Sequence, residues 1–153
     1  MNQYNSISLY DCFYYNQRNE LFTGENQHYC NICNRIYDSQ FTSRIFLCPR
    51  ILVLILVRRK GNIYNIKLDF SEYIDITQFV IKKDKPQITY NLYGVISKIE
   101  QSGFNSHYIV SCKNFVDNKW YRVNGNIVED ISNIQEEFIE FGTPYILFYQ
   151  KNN

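Results

Sequence analysis

His107 is one of two histidines in the chain, and it stands where the sequence turns strand-like. Tyr108 to Cys112 and Trp120 to Val123 both read as strands, and the Asn- and Asp-containing stretch Asn114 to Asp117 between them reads as a tight turn. A hairpin closed by a four-residue loop, commonly built on a type I turn, would set Lys113 opposite Asn118 and His107 opposite Asn124. Directly opposed residues share one face of a sheet, with Cβ atoms roughly 5 Å apart. An imidazole would then lie beside a carboxamide able to hold its tautomer, which is two thirds of a Cys-His-Asn relay. The same spacing also fits a half-exposed polar residue at a strand mouth. A register slip of one residue would send the two side chains to opposite faces.

A second group with chemistry is His28-Tyr29-Cys30-Asn31-Ile32-Cys33. A C-x2-C turn presents two thiolates to one metal, and a closed tetrahedral zinc site needs four ligands. His28 is available as a third, and the chain offers no second C-x2-C. The pattern reads either as half of a zinc site at Cys30 and Cys33 or as an ordinary turn.

Several stretches, taken in order, resemble the C-terminal half of the ubiquitin-specific protease family (ubiquitin carboxyl-terminal hydrolases). Tyr90 to Ile96 is similar to that family's Y-x-L-x-G-V-I, and Gly103 to Tyr108 to its G-H-Y. Trp120 to Asn124 is similar to W-Y-x-F-[DN]-D, and Pro144 to Tyr149 to A-Y-x-L-F-Y. Upstream, Ser8 to Phe13, Glu20-Leu21, Tyr29 to Cys33 and Cys48 to Leu52 fall in the family's order and near its spacing. The resemblance covers nearly all 153 residues. It implies the palm and the end of the fingers of a papain-like cysteine protease fold, without the thumb or the nucleophile segment. Residues 1–47 would be the end of the fingers and the way into the palm, and 48–153 the palm with its His/Asn hairpin.

By that resemblance His107 is the general base that deprotonates a cysteine and later protonates the leaving amine, and Asn124 orients its ring. Gly103, Phe104, Asn105 and Ser106 match the loop that clamps the ubiquitin tail, followed by Tyr108. Cys30 and Cys33 match one of the two C-x2-C pairs of the fingers. The sequence departs from the family at three places. Ser106 replaces the Gly before the His and loses freedom at positive φ. Gly125 replaces the second acid after Asn124. Ser97 stands where the family often has His. The family's nucleophile lies in a cysteine box ahead of the fingers, and this chain begins after the first half of the fingers. Cys112 is an odd number of residues from His107, hence on the opposite face and roughly 16 Å along the strand. Cys12 and Cys48 match packing positions.

These elements need a scaffold, and the rest of the chain reads as one. Aromatics are 17% of residues, with 14 Tyr, 11 Phe and no alanine, a bias toward strands. The expected class is α+β with predominantly antiparallel β structure and only short helices. Ser6 or Ser8 caps a short helix with Leu9, Cys12 and Phe13 at helical spacing, Cys12 being a small buried hydrophobe. Strands are expected over Phe41 to Leu47, Ile51 to Val57, Ile63 to Phe70 and Thr89 to Ile99. The second of these is continuously apolar, as for a strand covered on both faces. Gly94 marks a bulge or close approach in the fourth. Lys82 to Pro86 is linker-like, and Ser132 to Phe138 fits one or two helical turns.

At 153 residues the chain can bury roughly 70% of its unfolded surface as one domain. A net charge of +1 gives no field to recruit nucleic acid or an anionic membrane. The longest apolar run, Ile51 to Val57, is far short of the ~20 residues that span a bilayer, and Met1 to Ser8 is too polar for a secretory signal. A soluble intracellular protein, cytoplasmic or nuclear, is therefore expected, with the five cysteines as thiols or ligands. Three function classes follow. The first is a thiol-dependent deubiquitinase acting on ubiquitin and ubiquitinated proteins, inactive alone and needing an upstream half-domain. The second is a catalytically inactive ubiquitin-binding or scaffold remnant. The third is a nucleic-acid-binding zinc protein built on Cys30 and Cys33, which lacks the basic stripe such proteins use.

Overall fold

Thr89–Glu100 is a twelve-residue strand (β9), and every other part of the main sheet is arranged around it. The computed structural model describes residues 6–57, 66–81, 86–100, 106–134, 136–137 and 142–152. Its class is α+β, with strands far outnumbering helices. In chain order β1 (Ser6–Ser8) leads into α1 (Leu9–Asn16), followed by β2 (Glu20–Phe22), β3 (His28–Cys30), β4 (Arg35–Tyr37) and β5 (Ser39–Phe41). Then come β6 (Ile51–Ile55), β7 (Lys67–Asp69), β8 (Tyr73–Asp75), β9, β10 (Ser106–Lys113), β11 (Trp120–Asn124), β12 (Ile127–Ile131) and β13 (Thr143–Lys151). Among the described residues no helix is long and apolar enough to cross a membrane.

The main sheet is antiparallel and runs β12-β11-β10-β9-β13-β6, with β8 pairing the start of β9. One long strand can serve so many neighbours because its two ends carry different partners. Asn91 pairs with Tyr73 of β8, and Gly94 to Glu100 pair with β10 on the same edge. The opposite edge belongs to β13, whose register shifts between Phe148 and Tyr149, opposite Gly94 and Leu92. Gly94 thus marks a bulge, as a glycine within a strand often does. It is not a close approach, since a Cβ there would meet Phe148 at an ordinary 3.6 Å.

One face of this sheet is the core. Ile74, Tyr90, Leu92, Val95, Ile109, Leu147 and Tyr149 are buried from the strands, and Leu9, Ile76, Phe79 and Ile134 come from the covering elements. Two buried phenols fasten loops to it: Tyr90 donates to Pro49 O at 2.7 Å and Tyr149 to Ser71 O at 2.8 Å. α1 is capped as its sequence predicts. Ser8 Oγ accepts from Asp11 N at 3.1 Å, while Asp11 Oδ2 accepts from Ser8 N at 3.0 Å, a capping box with Asp in the reciprocal role.

Several expectations are corrected. The apolar run Ile51 to Val57 is not covered on both faces. β6 ends the sheet, Leu52 and Leu54 face the core, and Ile51, Val53 and Ile55 are exposed. Phe41 to Leu47 is not one strand, because β5 stops at Phe41 and only Ile45 bridges onward, to Val80. Within Ile63 to Phe70, residues 63–65 lie outside the described residues, and the strand is confined to Lys67–Asp69, which pairs in parallel with β1. Cys12 is exposed, not a core residue. It lines a small apolar cleft of about 140 Å³ with Ile7, Leu56 and Leu68. The linker-like residues 82–85 also lie outside the described residues.

Candidate active site

The β10–β11 hairpin is built differently from the four-residue loop expected, and the difference is instructive. Lys113 pairs with Trp120 and Val110 with Val123, so the loop holds Asn114 to Lys119. Asn114 N donates to Lys119 O at 2.8 Å, and Asn118 N donates to Asn114 O at 2.8 Å. Asn114 Oδ1 accepts from Val116 N and Asp117 Oδ1 from Lys119 N, each at 3.0 Å. Asn118 takes φ +61°, a left-handed position that Asn tolerates better than most residues. The result is a register two residues away from the expected one. An even shift keeps every side chain on its face, so His107 and Asn124 still share a face, now as diagonal rather than direct neighbours.

Diagonal partners stand roughly 7–8 Å apart at the backbone, within reach of long side chains. Here they touch: His107 Nε2 lies 2.6 Å from Asn124 Oδ1, in a partly buried setting. A carboxamide oxygen only accepts, so the neutral ring carries its proton on Nε2. Nδ1 is left with its lone pair, the form a general base needs. On the far side of β10, His107 pairs with Ile99 of β9.

Three contacts fix the hairpin. At its closed end Trp120 Nε1 donates to Glu72 Oε2 at 3.2 Å, and Lys113 Nζ stands 3.6 Å from the same oxygen. At its open end Gly125, with φ +59°, opens the two-residue turn by which Asn124 pairs with Ile127. A positive φ at the first turn position is the type II′ requirement, and glycine meets it. Between the ends, Arg122 donates from Nε and Nη2 to Glu129 Oε2 at 3.0 and 2.5 Å, and from Nη1 to Glu137 at 3.2 and 3.3 Å. Glu129 foremost, then the Glu137 charge, hold the guanidinium above its already high pKa. The sequence reading missed this cluster. Arg122 has the parity of Asn124 on a strand whose Trp120 is buried, and an inward cation needs acids, a signal that was available.

Other predicted site residues fall elsewhere. Tyr108 is exposed on the opposite face of β10, its ring 6.0 Å from that of Tyr145. Cys112 pairs with Gly94 and Tyr121 on that same far face, turned away from His107. Gly103, Phe104 and Asn105 lie outside the described residues, as does the side chain of Ser106. Ser97 is buried beside Ile109.

Cys30 and Cys33 bracket the turn between β3 and β4, closed by Asn34 N donating to Cys30 O at 2.8 Å. Backbone N–H groups of Cys33 and then Ile32 point at the Cys30 sulfur and hold its thiol below the usual pKa, with the Cys33 side chain adding to them. Such a turn suits a metal-bound thiolate. It supplies two ligands only, and the described residues contain no cluster of three His, Cys, Asp or Glu that could hold an ion. His28 stacks on Phe22, ring centroids 4.6 Å apart. These residues alone do not complete a tetrahedral site.

Residues 15–149 match the family described as ubiquitin carboxyl-terminal hydrolase. The chain is 31% identical over 141 residues to ubiquitin carboxyl-terminal hydrolase 25 of Arabidopsis thaliana, covering 89% of this chain and 21% of that one. It is 25% identical over 142 residues to ubiquitin carboxyl-terminal hydrolase 17-like protein B of Mus musculus, covering 90% and 29%. Among solved structures it is similar to a chain of the SAGA Ubp8/Sgf11/Sus1/Sgf73 DUB module bound to ubiquitin aldehyde. There the TM-score is 0.74 at 27% identity, over 95% of this chain and 34% of that one. The chain therefore spans between a fifth and about a third of the length of these relatives.

Proposed function

The chain belongs to the ubiquitin carboxyl-terminal hydrolase family, and we propose that it supplies the general-base side of a thiol-dependent deubiquitinase. The observation that carries this is the 2.6 Å contact between His107 Nε2 and Asn124 Oδ1. In this reading Asn124 holds the proton on Nε2, and Nδ1 takes the proton of a cysteine thiol as the thiolate attacks the carbonyl at the ubiquitin C-terminus. The same nitrogen then returns the proton to the leaving amine, and water completes the hydrolysis of the acyl-enzyme. Residues 103–106 and Tyr108 are proposed to line the path of the ubiquitin tail. Residues 48–153 act as the palm and residues 1–47 as the end of the fingers and the way into the palm. Cys30 and Cys33 act as half of a structural zinc site whose remaining ligands lie outside the described residues. The zinc takes no part in the chemistry.

The nucleophile is assigned to a segment outside these 153 residues. Cys112 faces away from His107, Cys12 lies on α1, Cys30 and Cys33 on the β3–β4 turn, and Cys48 beside Tyr90. The same observation favours a second reading, a non-catalytic ubiquitin-binding chain. One assay separates them. The chain is mixed with ubiquitin carrying a C-terminal fluorogenic amide, alone and then with an upstream half-domain containing a family cysteine box. No turnover alone and turnover on mixing is the expected result. Binding of ubiquitin without turnover in either case supports the second reading. Turnover by the isolated chain overturns the assignment of the nucleophile.

A further inference from the structure

We propose that Arg122, held between Glu129 and Glu137, is the positioning residue that keeps Asn124 on His107. The inference rests on the His107–Asn124 reading above and extends it to a residue that does not touch the reacting atoms. The last ladder pair between β10 and β11 is Val110 with Val123. Asn124 lies one residue beyond that ladder and His107 three residues beyond it, so the two side chains meet where the strands are no longer zipped together. Among the described residues, the backbone of Asn124 is held from the other side, by its pairing with Ile127. β12 is the outer strand of the sheet at this end, exposed over most of its length. In a mouth built this way the β11 side, which carries Asn124, is left to be held from beyond β12.

Arg122 is placed to hold that side. It sits two residues before Asn124 on the same face of β11, its side chain only 17% exposed. Its fork of donors spans two acids on two elements. Glu129 is its direct cross-strand partner on β12. Glu137 is 7% exposed and comes from the helical residues beyond β12, its N–H bonded to Asn133 O at 3.1 Å. One guanidinium thus ties β11, β12 and the segment after them into a single body. A planar fork can make both contacts at once, whereas an ammonium is a point charge that favours one.

The test uses imidazole nitrogen NMR on the whole chain, at about pH 8, above the ordinary imidazole range. The only other histidine is His28, an exposed residue that serves as the reference. In the native chain His107 is expected to show one fixed tautomer with its proton on Nε2. In Glu137→Gln and Arg122→Gln the two ring nitrogen shifts should converge toward a tautomeric average, with loss of the slowly exchanging Nε2 proton. Arg122→Lys should retain part of the native pattern. The Trp120 indole proton, bonded to Glu72 at the closed end of the same hairpin, reports folding and should not move. Glu137→Gln, nearly isosteric, stands in if Arg122→Gln unfolds. A fixed Nε2 tautomer in all folded variants overturns the proposal and leaves the His107–Asn124 pair intact. Joint movement of the Trp120 and His107 signals shows a merely structural role and also overturns it. Absence of the fixed tautomer in the native chain overturns the pair itself.

Discussion

His107 and Asn124 meet across the open mouth of their hairpin, beyond the last paired residues, Val110 and Val123. That location lets one hydrogen bond set a tautomer without the backbone ladder burying the ring. It also makes the pair depend on its surroundings.

In an enzyme reconstituted with an upstream half-domain, His107→Ala should lower kcat by at least the 10²–10⁴-fold typical of a lost general base. Asn124→Ala should cost less, on the order of the 10²-fold that a roughly 1 Å misplacement brings. Cys112→Ser should leave the rate unchanged, because its side chain is on the far face of β10. Steady-state rates with a ubiquitin C-terminal amide check all three, and equal losses for the first two would contradict the division of roles.

Gly142 takes φ +102°, and a Cβ there would come within 2.9 Å of Lys98 O and 3.1 Å of the Ile99 side chain. Ile99 is the cross-strand partner of His107. Gly142→Ala should therefore destabilise the fold by about 1–3 kcal/mol and shift β9 beneath the imidazole. Urea unfolding measures the first effect. A chemical-shift change at His107 larger than at Trp120 would show the second.

The hairpin is legible because its strands and polar turn are local, and α1 because a capping serine and the helical spacing of Leu9, Cys12 and Phe13 are local too. Loop length is not, since it depends on Asn118 adopting a left-handed backbone that its sequence permits without requiring. His107 and Asn124 share a face in either register because the shift is even. Burial of β6 was misread for another reason. Continuous apolar sequence reports that a strand can be covered, while the sheet order places β6 at an edge through pairing with β13, far away in sequence. Arg122 and Glu137 are linked the same way, through the fold rather than through spacing.

Cys30 and Cys33 alone should bind zinc weakly, since two thiolates leave half of a tetrahedron to water. Titration of the reduced chain with zinc and a competing chromophoric chelator should show release at modest chelator concentrations, and Cys30→Ser should abolish even that binding. Stoichiometric zinc resisting the chelator would mean that further ligands exist within the chain.

Two buried phenols contribute to how the fold responds to alkali. Tyr90 is fully buried and its pKa is pushed up to about 12, by burial first and by the nearby Cys48 charge second. Tyr149 is raised in the same way, mainly by burial. An unfolded tyrosine ionises near pH ~10. Below that pH the phenols are neutral in both states and their contribution to stability is complete. Above it the unfolded chain gains by ionising while the folded chain cannot, so stability should fall from about pH 10 through 12. Phenylalanine removes the titration and also the bonds to Pro49 O and Ser71 O. At pH ~8, Tyr90→Phe and Tyr149→Phe should each cost about 0.5–1.5 kcal/mol. By pH ~11 each deficit should shrink, because the variant lacks the alkaline penalty of the phenol it has lost. Urea unfolding at the two pH values gives the comparison, and a deficit equal at both would show that these phenols ionise as freely in the fold as outside it.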